Sequence, residues 1–358
     1  MHKNSIKMSP FRVDLSDVGL LGEIVIPTAN ITNLDLVFIN DLQLKKTENF
    51  YLSRGHRYYY QLTCFELTLD IFDYYHRINE TNNIHIKYIL LDHIFNGLLR
   101  ILDILVIYQE KDAIKYHIRK VQEIAVEIVN YLTGKDINTL GNYIVSLPQS
   151  IARLTPRVYL EGDNHLLTLI SIMKIPRFDI CVGILFGGAA NAAIYSAYHL
   201  SQLNYIKISC YDDISNSNHY IWGNELDLNT SVLVLDDNCG TGKTLNLTKC
   251  ILKDYYKINA KIAAIELHWE KLLRVKGYQH QDTVFDLAKL DYLTPWNVRH
   301  HNLLKQLIQQ DKVSKNNKTT IKEWLSYSKN VLNILSTLGI HDSAFESMIT
   351  YCSQLEHH

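Results

Sequence analysis

The sequence predicts an α/β protein in which a parallel-sheet core follows a largely helical N-terminal region and precedes a helical C-terminal extension. Three observations lead there. Two short apolar runs, 178–186 (broken only by Asp179) and 232–235, each lead through a glycine-containing turn into a helix, as buried parallel strands do. A third run, 260–266, follows a stretch with helical spacing and completes a βαβ rhythm. Upstream, three segments repeat apolar residues at the helical period.

From the N-terminus, residues 11–44 alternate short apolar runs with Pro27, Asn30 and Asn33, which suggests a few strands or hairpins. The cluster Arg54, Gly55, His56, Arg57, Tyr58, Tyr59 and Tyr60 is open to two readings, contact with a phosphate or base, or half-buried aromatic packing. Then the pattern turns helical. Leu62, Phe65, Leu69, Phe72 and His76 share one face; Leu91, Phe95, Leu98, Leu102 and Leu105 share another; Ile114, Ile118, Val121, Ala125, Ile128 and Leu132 form a third. The core is expected to hold a strand at 178–186, a helix at 190–203, an alternating strand at 205–210, a polar loop at 211–229, a strand at 232–235, a helix at 244–256 and a strand at 260–266. From residue 302 onward the chain reads as helical, with a polar break at 312–319 and an apolar face of Leu325, Val331, Leu332, Leu335 and Leu338. The expected division is 1–160, 161–300 and 301–354, with 355–358 (Leu-Glu-His-His) an expression-tag scar.

Composition narrows the function classes. With 36 basic and 37 acidic residues in 358, a formal charge of −1 argues against a general nucleic-acid or anionic-membrane surface. The apolar stretch 98–108 is interrupted by Arg100 and Asp103 and is too short to span a bilayer, and no secretory signal is visible. Six cysteines, at 64, 181, 210, 239, 250 and 352, form no C-x-x-C pair, which points to a reduced, cytoplasmic protein. Cys239 sits within the candidate site and reads either as reachable by an alkylator or as a variable loop position.

The chemistry concentrates at residues 232–245, Val-Leu-Val-Leu-Asp-Asp-Asn-Cys-Gly-Thr-Gly-Lys-Thr-Leu. An apolar strand leads to two carboxylates, then to a short loop opening a helix. The carboxyl end of such a strand is where open α/β sheets bind ligands. Gly240 and Gly242 allow a tight turn with amide hydrogens pointing inward, and Thr241 and Thr244 add hydroxyls at a helix N-terminus, which suits a phosphate. Asp236 and Asp237 would repel that phosphate but are natural acceptors for vicinal sugar hydroxyls. Together the parts describe a 5-phosphorylated ribose. A nucleotide-triphosphate P-loop is the competitor, because Gly242-Lys243-Thr244 matches the end of its pattern. It fails where Asp237 stands in place of the first glycine. A strand and helix cap that bind nothing would leave paired acids at a strand end, a costly arrangement without a ligand.

The order of two acids, three variable residues and Thr-Gly-x-Thr resembles the PRPP-binding motif of type I phosphoribosyltransferases, and the resemblance extends over about residues 175–300. It implies that Asp236 and Asp237 hold the ribose 2- and 3-hydroxyls and that Gly240, Thr241, Gly242, Lys243 and Thr244 wrap the 5-phosphate. Phe186, Gly187 and Gly188, at the end of the strand at 178–186, would form the pyrophosphate loop, mainly through backbone amides. Members that handle 6-oxopurines often carry an acid where Gly240 stands, so hypoxanthine or guanine salvage is not implied. A flexible loop in the family closes over PRPP. His219, Tyr220 and Trp222 are its candidates here, unless 211–229 is an ordinary surface loop. The stretch 291–296 stands where the family places a hood over the acceptor, so Trp296 either stacks on a base or belongs to the core. His300 and His301 are similarly open, and lack a third ligand at metal-site spacing.

The activity so implied is displacement of pyrophosphate from C1 of PRPP by an unidentified nucleophile, with Mg²⁺ bound through PRPP. Glu266, at the end of the next strand, is the candidate acceptor-side base. The competing function is a PRPP- or nucleotide-sensing regulator that keeps the fold without the chemistry. Its expected partners are PRPP and the unidentified acceptor, with a homodimer left open.

Overall fold

A computed structural model describes residues 84–138, 165–208, 220–240 and 242–267, five short strands before residue 60, and isolated positions elsewhere. Thr241, His219, Trp296, His300, His301 and nearly all of the C-terminal extension lie outside the described residues. The chain divides into two compact units, Met1–Leu166 and Leu167–His358.

In the first unit, β1 (Met8–Ser9), β2 (Arg12–Asp14) and β3 (Glu23–Val25) form an antiparallel sheet, and β4 (Phe50–Ser53) pairs with β5 (His56–Tyr59) as a hairpin. Helices α1 (Ile84–Tyr108) and α2 (Lys111–Leu132) follow, joined by Gln109 in a left-handed conformation and Glu110. On α2 the expected face is the buried one: Ile114, Ile118, Val121, Ala125 and Ile128. Helix α1 differs. Besides Leu91, Phe95, Leu98, Leu102 and Leu105 it buries Leu90, Ile94, Leu99 and Ile101, so apolar residues surround it.

This unit also buries polar groups in pairs. His117 shares its Nδ1 hydrogen bond with the Ala113 carbonyl at 2.8 Å, and its Nε2 lies 2.5 Å from the Tyr143 hydroxyl. His165 contacts Asp92 through Nε2 and Oδ1, both side chains lying about 1% exposed. Glu127 accepts from the backbone N–H of Asn138 at 2.7 Å and from its Nδ2 at 3.1 Å. Each satisfies a group that would otherwise be costly inside a helical core.

The second unit is a mixed α/β arrangement built on a sheet that is mostly parallel. Helix α3 (His165–Ile172), whose first two residues belong to the first unit, leads into β6 (Ile180–Leu185), α4 (Ala189–His199), β7 (Gln202–Lys207), β8 (Ile221–Trp222), β9 (Val232–Cys239), α5 (Lys243–Tyr256) and β10 (Lys261–Leu267). The strand order is β10-β9-β6-β7-β8, with only β8 antiparallel to its neighbour. Strand β6 is buried throughout, as its unbroken apolar run requires at the centre of a sheet.

The chain leaves β6 toward β7 but leaves β9 toward β10, so the two central strands are joined to their successors in opposite directions along the sheet. Their carboxyl ends therefore flank the crevice of a topological switch point. At the other end, the Asp179 carboxylate accepts from Ser231 N at 2.9 Å and Oγ at 2.6 Å. The Ser231 side chain, then its backbone, hold that carboxyl below its usual pKa range.

Small residues bring α4 close to the sheet. A Cβ on Gly183 would lie 2.7 Å from Ala192 Cβ and 2.9 Å from the Tyr205 ring, so only glycine fits there. Across that gap the buried Tyr205 hydroxyl donates to the Ala189 carbonyl at 3.1 Å, tying β7 to the first turn of α4.

Three element boundaries differ from expectation. Strand β7 begins three residues early, at Gln202, because α4 ends at Leu200 in a left-handed conformation. Strand β9 runs on through Asp236 and Asp237 to Cys239, since pairing with β10 continues to Leu267↔Cys239. Strand β8, inside the polar stretch 211–229, is held by two residue pairs to β7. No helix among the described residues is long and apolar enough to cross a membrane.

Candidate functional site

The twin acids stand at the carboxyl end of β9, beside the turn that leaves β6. Asp236 is buried and Asp237 half-buried. The backbone N–H of Asp237 donates to Asp236 Oδ1 at 3.0 Å. Asn238 donates twice to Asp237, from its backbone N to Oδ1 at 2.7 Å and from Nδ2 to Oδ2 at 2.9 Å. Sequence reasoning passed over Asn238 as one of three variable positions. A short amide beside a strand-end carboxylate was the available signal, because such side chains readily bond their immediate neighbours.

Gly187 and Gly188 meet these acids directly. A Cβ on Gly187 would lie 2.5 Å from Asp237 Oδ1 and 3.0 Å from Oδ2; one on Gly188 would strike the Leu235 carbonyl and lie 2.7 Å from Asp236 Cα. The turn is tight: Gly188 N donates to the Ile184 carbonyl at 2.8 Å and Ala189 N to the Phe186 carbonyl at 3.2 Å. Those two amides are thus committed to the turn, so Gly188 does not offer its N–H to the expected backbone cradle. Phe186 is half-buried, Gly187 is exposed, and the Leu185–Phe186 peptide bond is cis.

After β9 the chain passes Gly240 and enters α5 through Gly242, whose φ of 71° lies in the left-handed region where glycine is at ease. Gly240 has no such φ, and a Cβ there would meet nothing within 4 Å among the described residues. Of the two glycines expected to make the bend, Gly242 is the one the backbone requires. Gly242 supplies no capping side chain, and the first turn of α5 contains no acid. The N-terminal end of α5, with its helix dipole, therefore favours an anion. Lys243 is exposed and Thr244 half-buried.

Cys239 lies behind this loop rather than in it. Burial first, and the nearby Asp236 second, push its thiol well above the ordinary range, while the Gly242 backbone hydrogen bond acts the other way. With 3% exposure it anchors the turn, and the reading of a reagent-accessible thiol is corrected.

The remaining expected residues separate. Glu266 is half-buried and pairs in register with Asn238, one strand from the acids at the same end of the sheet. Trp222 does not hang from a mobile loop: it is buried in β8, paired with Tyr205 at the sheet edge. Tyr220 is half-exposed and packs on Trp222 with ring centroids 4.5 Å apart. The start of the expected hood extends the sheet instead. Asp291 N donates to the Ile262 carbonyl at 3.0 Å, Asp291 Oδ2 accepts from Ile262 N at 2.8 Å, and Thr294 Oγ1 donates to the Ile265 carbonyl at 2.8 Å. Among the described residues no group of three or more His, Cys, Asp or Glu is arranged to hold a metal ion.

No family model matches the chain, and no curated protein matches it. Among solved structures it is similar to orotate phosphoribosyltransferase from Aeropyrum pernix, at 15% identity and a TM-score of 0.24 over 31% of this chain and 75% of that one. It is also similar to Leishmania donovani UMP synthase, at 15% identity and a TM-score of 0.24 over 60% of this chain and 46% of that one. Likeness at that level carries no argument about function, which has to come from the chain's own residues.

Proposed function

We propose that the chain binds PRPP at the carboxyl ends of β6 and β9 and transfers its phosphoribosyl group to a nucleophile in a type I phosphoribosyltransferase-like core. The observation that carries this reading is the meeting of Gly187 and Gly188 with Asp237 and Asp236 at the switch point. Two sequence features far apart in the chain thereby meet at one end of the sheet, the glycine turn packed directly on the acids.

Asp236 and Asp237 hold the ribose hydroxyls, and their negative charge favours an oxocarbenium-like C1. Gly240, Thr241, Gly242, Lys243 and Thr244 seat the 5-phosphate at the α5 N-terminus. The Phe186–Gly187 backbone faces the departing pyrophosphate. The C1–O bond breaks with its electron pair leaving on pyrophosphate, a C1–N or other bond forms to the acceptor, and the acceptor's proton is released. Glu266 is the candidate to take that proton.

The hard carboxylate oxygens of Asp236 and Asp237 suit magnesium carried mainly by the oxygens of PRPP. Held there, magnesium would supply positive charge opposite the pyrophosphate.

Calorimetry with PRPP in magnesium buffer, followed by a pyrophosphate-release assay against a panel of bases and amines, tests the reading. Heat of binding and acceptor-dependent release are expected, and both should vanish in the Asp236→Asn, Asp237→Asn double variant while its melting temperature is retained. Binding without release would favour a sensor; no binding to PRPP or to any ribonucleoside monophosphate would refute the site.

A further inference from the structure

We propose that Asn238 is a positioning residue that sets Asp237 for recognition of a ribose diol, an inference that rests on the phosphoribosyl reading above. An ionised carboxylate offers about four lone-pair directions, two on each oxygen. Asn238 fills one on each: its backbone N–H takes Oδ1 at 2.7 Å and its Nδ2 takes Oδ2 at 2.9 Å. Among the described residues no other donor is seen on Asp237, so one acceptor direction per oxygen is left, the number that two vicinal hydroxyl donors need. The Gly187 backbone crowds the same group, since a Cβ there would approach both oxygens, at 2.5 and 3.0 Å. Bracketed so, the carboxylate has little freedom to rotate.

The residue type matters. A serine hydroxyl is a single donor on a shorter arm, glutamine places its amide one methylene farther out, and aspartate has the right shape but no donor and a like charge. Asparagine alone among these supplies a donor at this reach beside an ionised neighbour. Asn238 itself is half-buried and lies on β9 in register with Glu266, so the strand pairing holds its backbone still. It acts through Asp237 and is not assigned a contact with the substrate.

The test uses the full chain and calorimetry in magnesium buffer with two probes, ribose 5-phosphate and 2-deoxyribose 5-phosphate. Wild type should prefer the ribose compound by about tenfold or more, the effect of one hydroxyl on a charged acceptor. In Asn238→Ala, affinity for ribose 5-phosphate should fall about tenfold and that for the deoxy compound, which keeps only the 3-hydroxyl, distinctly less, so the preference narrows. Asn238→Asp should lose at least as much, although its shape is kept. A merely structural role predicts the reverse, with both affinities falling together in Asn238→Ala and near-normal behaviour in Asn238→Asp. Either variant retaining the wild-type preference would overturn the proposal and leave the phosphoribosyl reading standing; wild type binding neither probe would overturn both.

Discussion

Gly187→Ala offers the sharpest separation of site from fold. The added methyl would stand 2.5 Å from Asp237 Oδ1 and 2.9 Å from its Cγ, whereas ordinary contact begins near 3.4 Å. The carboxylate would have to retreat by roughly 0.9 Å, the difference between those distances. Its two bonds from Asn238, at 2.7 and 2.9 Å, oppose that movement, so at least one breaks. Losing a hydrogen bond to a charged group costs about 1.5–3 kcal/mol, and a group displaced by about 1 Å from its working position costs about 10²-fold in rate. The fold should lose less, because Asp237 is half-buried and water can take up the broken bond. Gly187 is exposed and its φ lies outside the left-handed region, so alanine is compatible with the backbone and gains up to about 1 kcal/mol from a less flexible unfolded chain. Thermal melting should therefore shift by no more than about 4 °C, while PRPP affinity by calorimetry falls by about tenfold to a hundredfold. If the alanine variant binds PRPP as tightly as wild type, the Asp237 carboxylate is not the seat of the sugar.

Two further outcomes follow from burial. His117 is held neutral, chiefly by burial, with its pKa lowered to about 4 against the opposing effect of the Ala113 carbonyl. The unfolded chain binds the proton near pH 6.5, so this contribution is intact above that pH and is lost as pH falls toward 4, about 3 kcal/mol in all. Urea unfolding of wild type should consequently weaken more steeply than that of His117→Gln across pH 6.5 to 4, and parallel profiles would contradict the assignment. Among the described cysteines, exposed Cys250 should react with an alkylating reagent in the native protein, whereas Cys181 and Cys239, buried with raised thiol pKa values, should react only after unfolding. Native labelling of Cys239, mapped by mass spectrometry, would show that its loop is open.

How much was legible in the chain depended on how local the cause was. The apolar runs that became β6 and β9 read as buried strands because continuous burial leaves a continuous pattern. The stripe of α2 was readable for the same reason, at a different period. Helix α1 was misread as one-faced, since neighbours bury almost its whole circumference. The two residues of β8 carry no signal of their own and are a strand only because β7 pairs with them, which moved Trp222 from a loop to the sheet. The same holds for Asp291 and Thr294, whose bonds to β10 no spacing rule foretells.

At the candidate site the division is sharp. Residues 232–245 by themselves determined the order of acids, bend and helix, because backbone turns, helix ends and like-charge repulsion act between near neighbours. Only the tertiary structure decided that Gly187 and Gly188 press on Asp237 and Asp236, because that contact depends on β6 and β9 becoming adjacent strands whose chains depart in opposite directions. Pairing of distant strands is settled by the burial of the whole sheet, and no local stretch of sequence contains it.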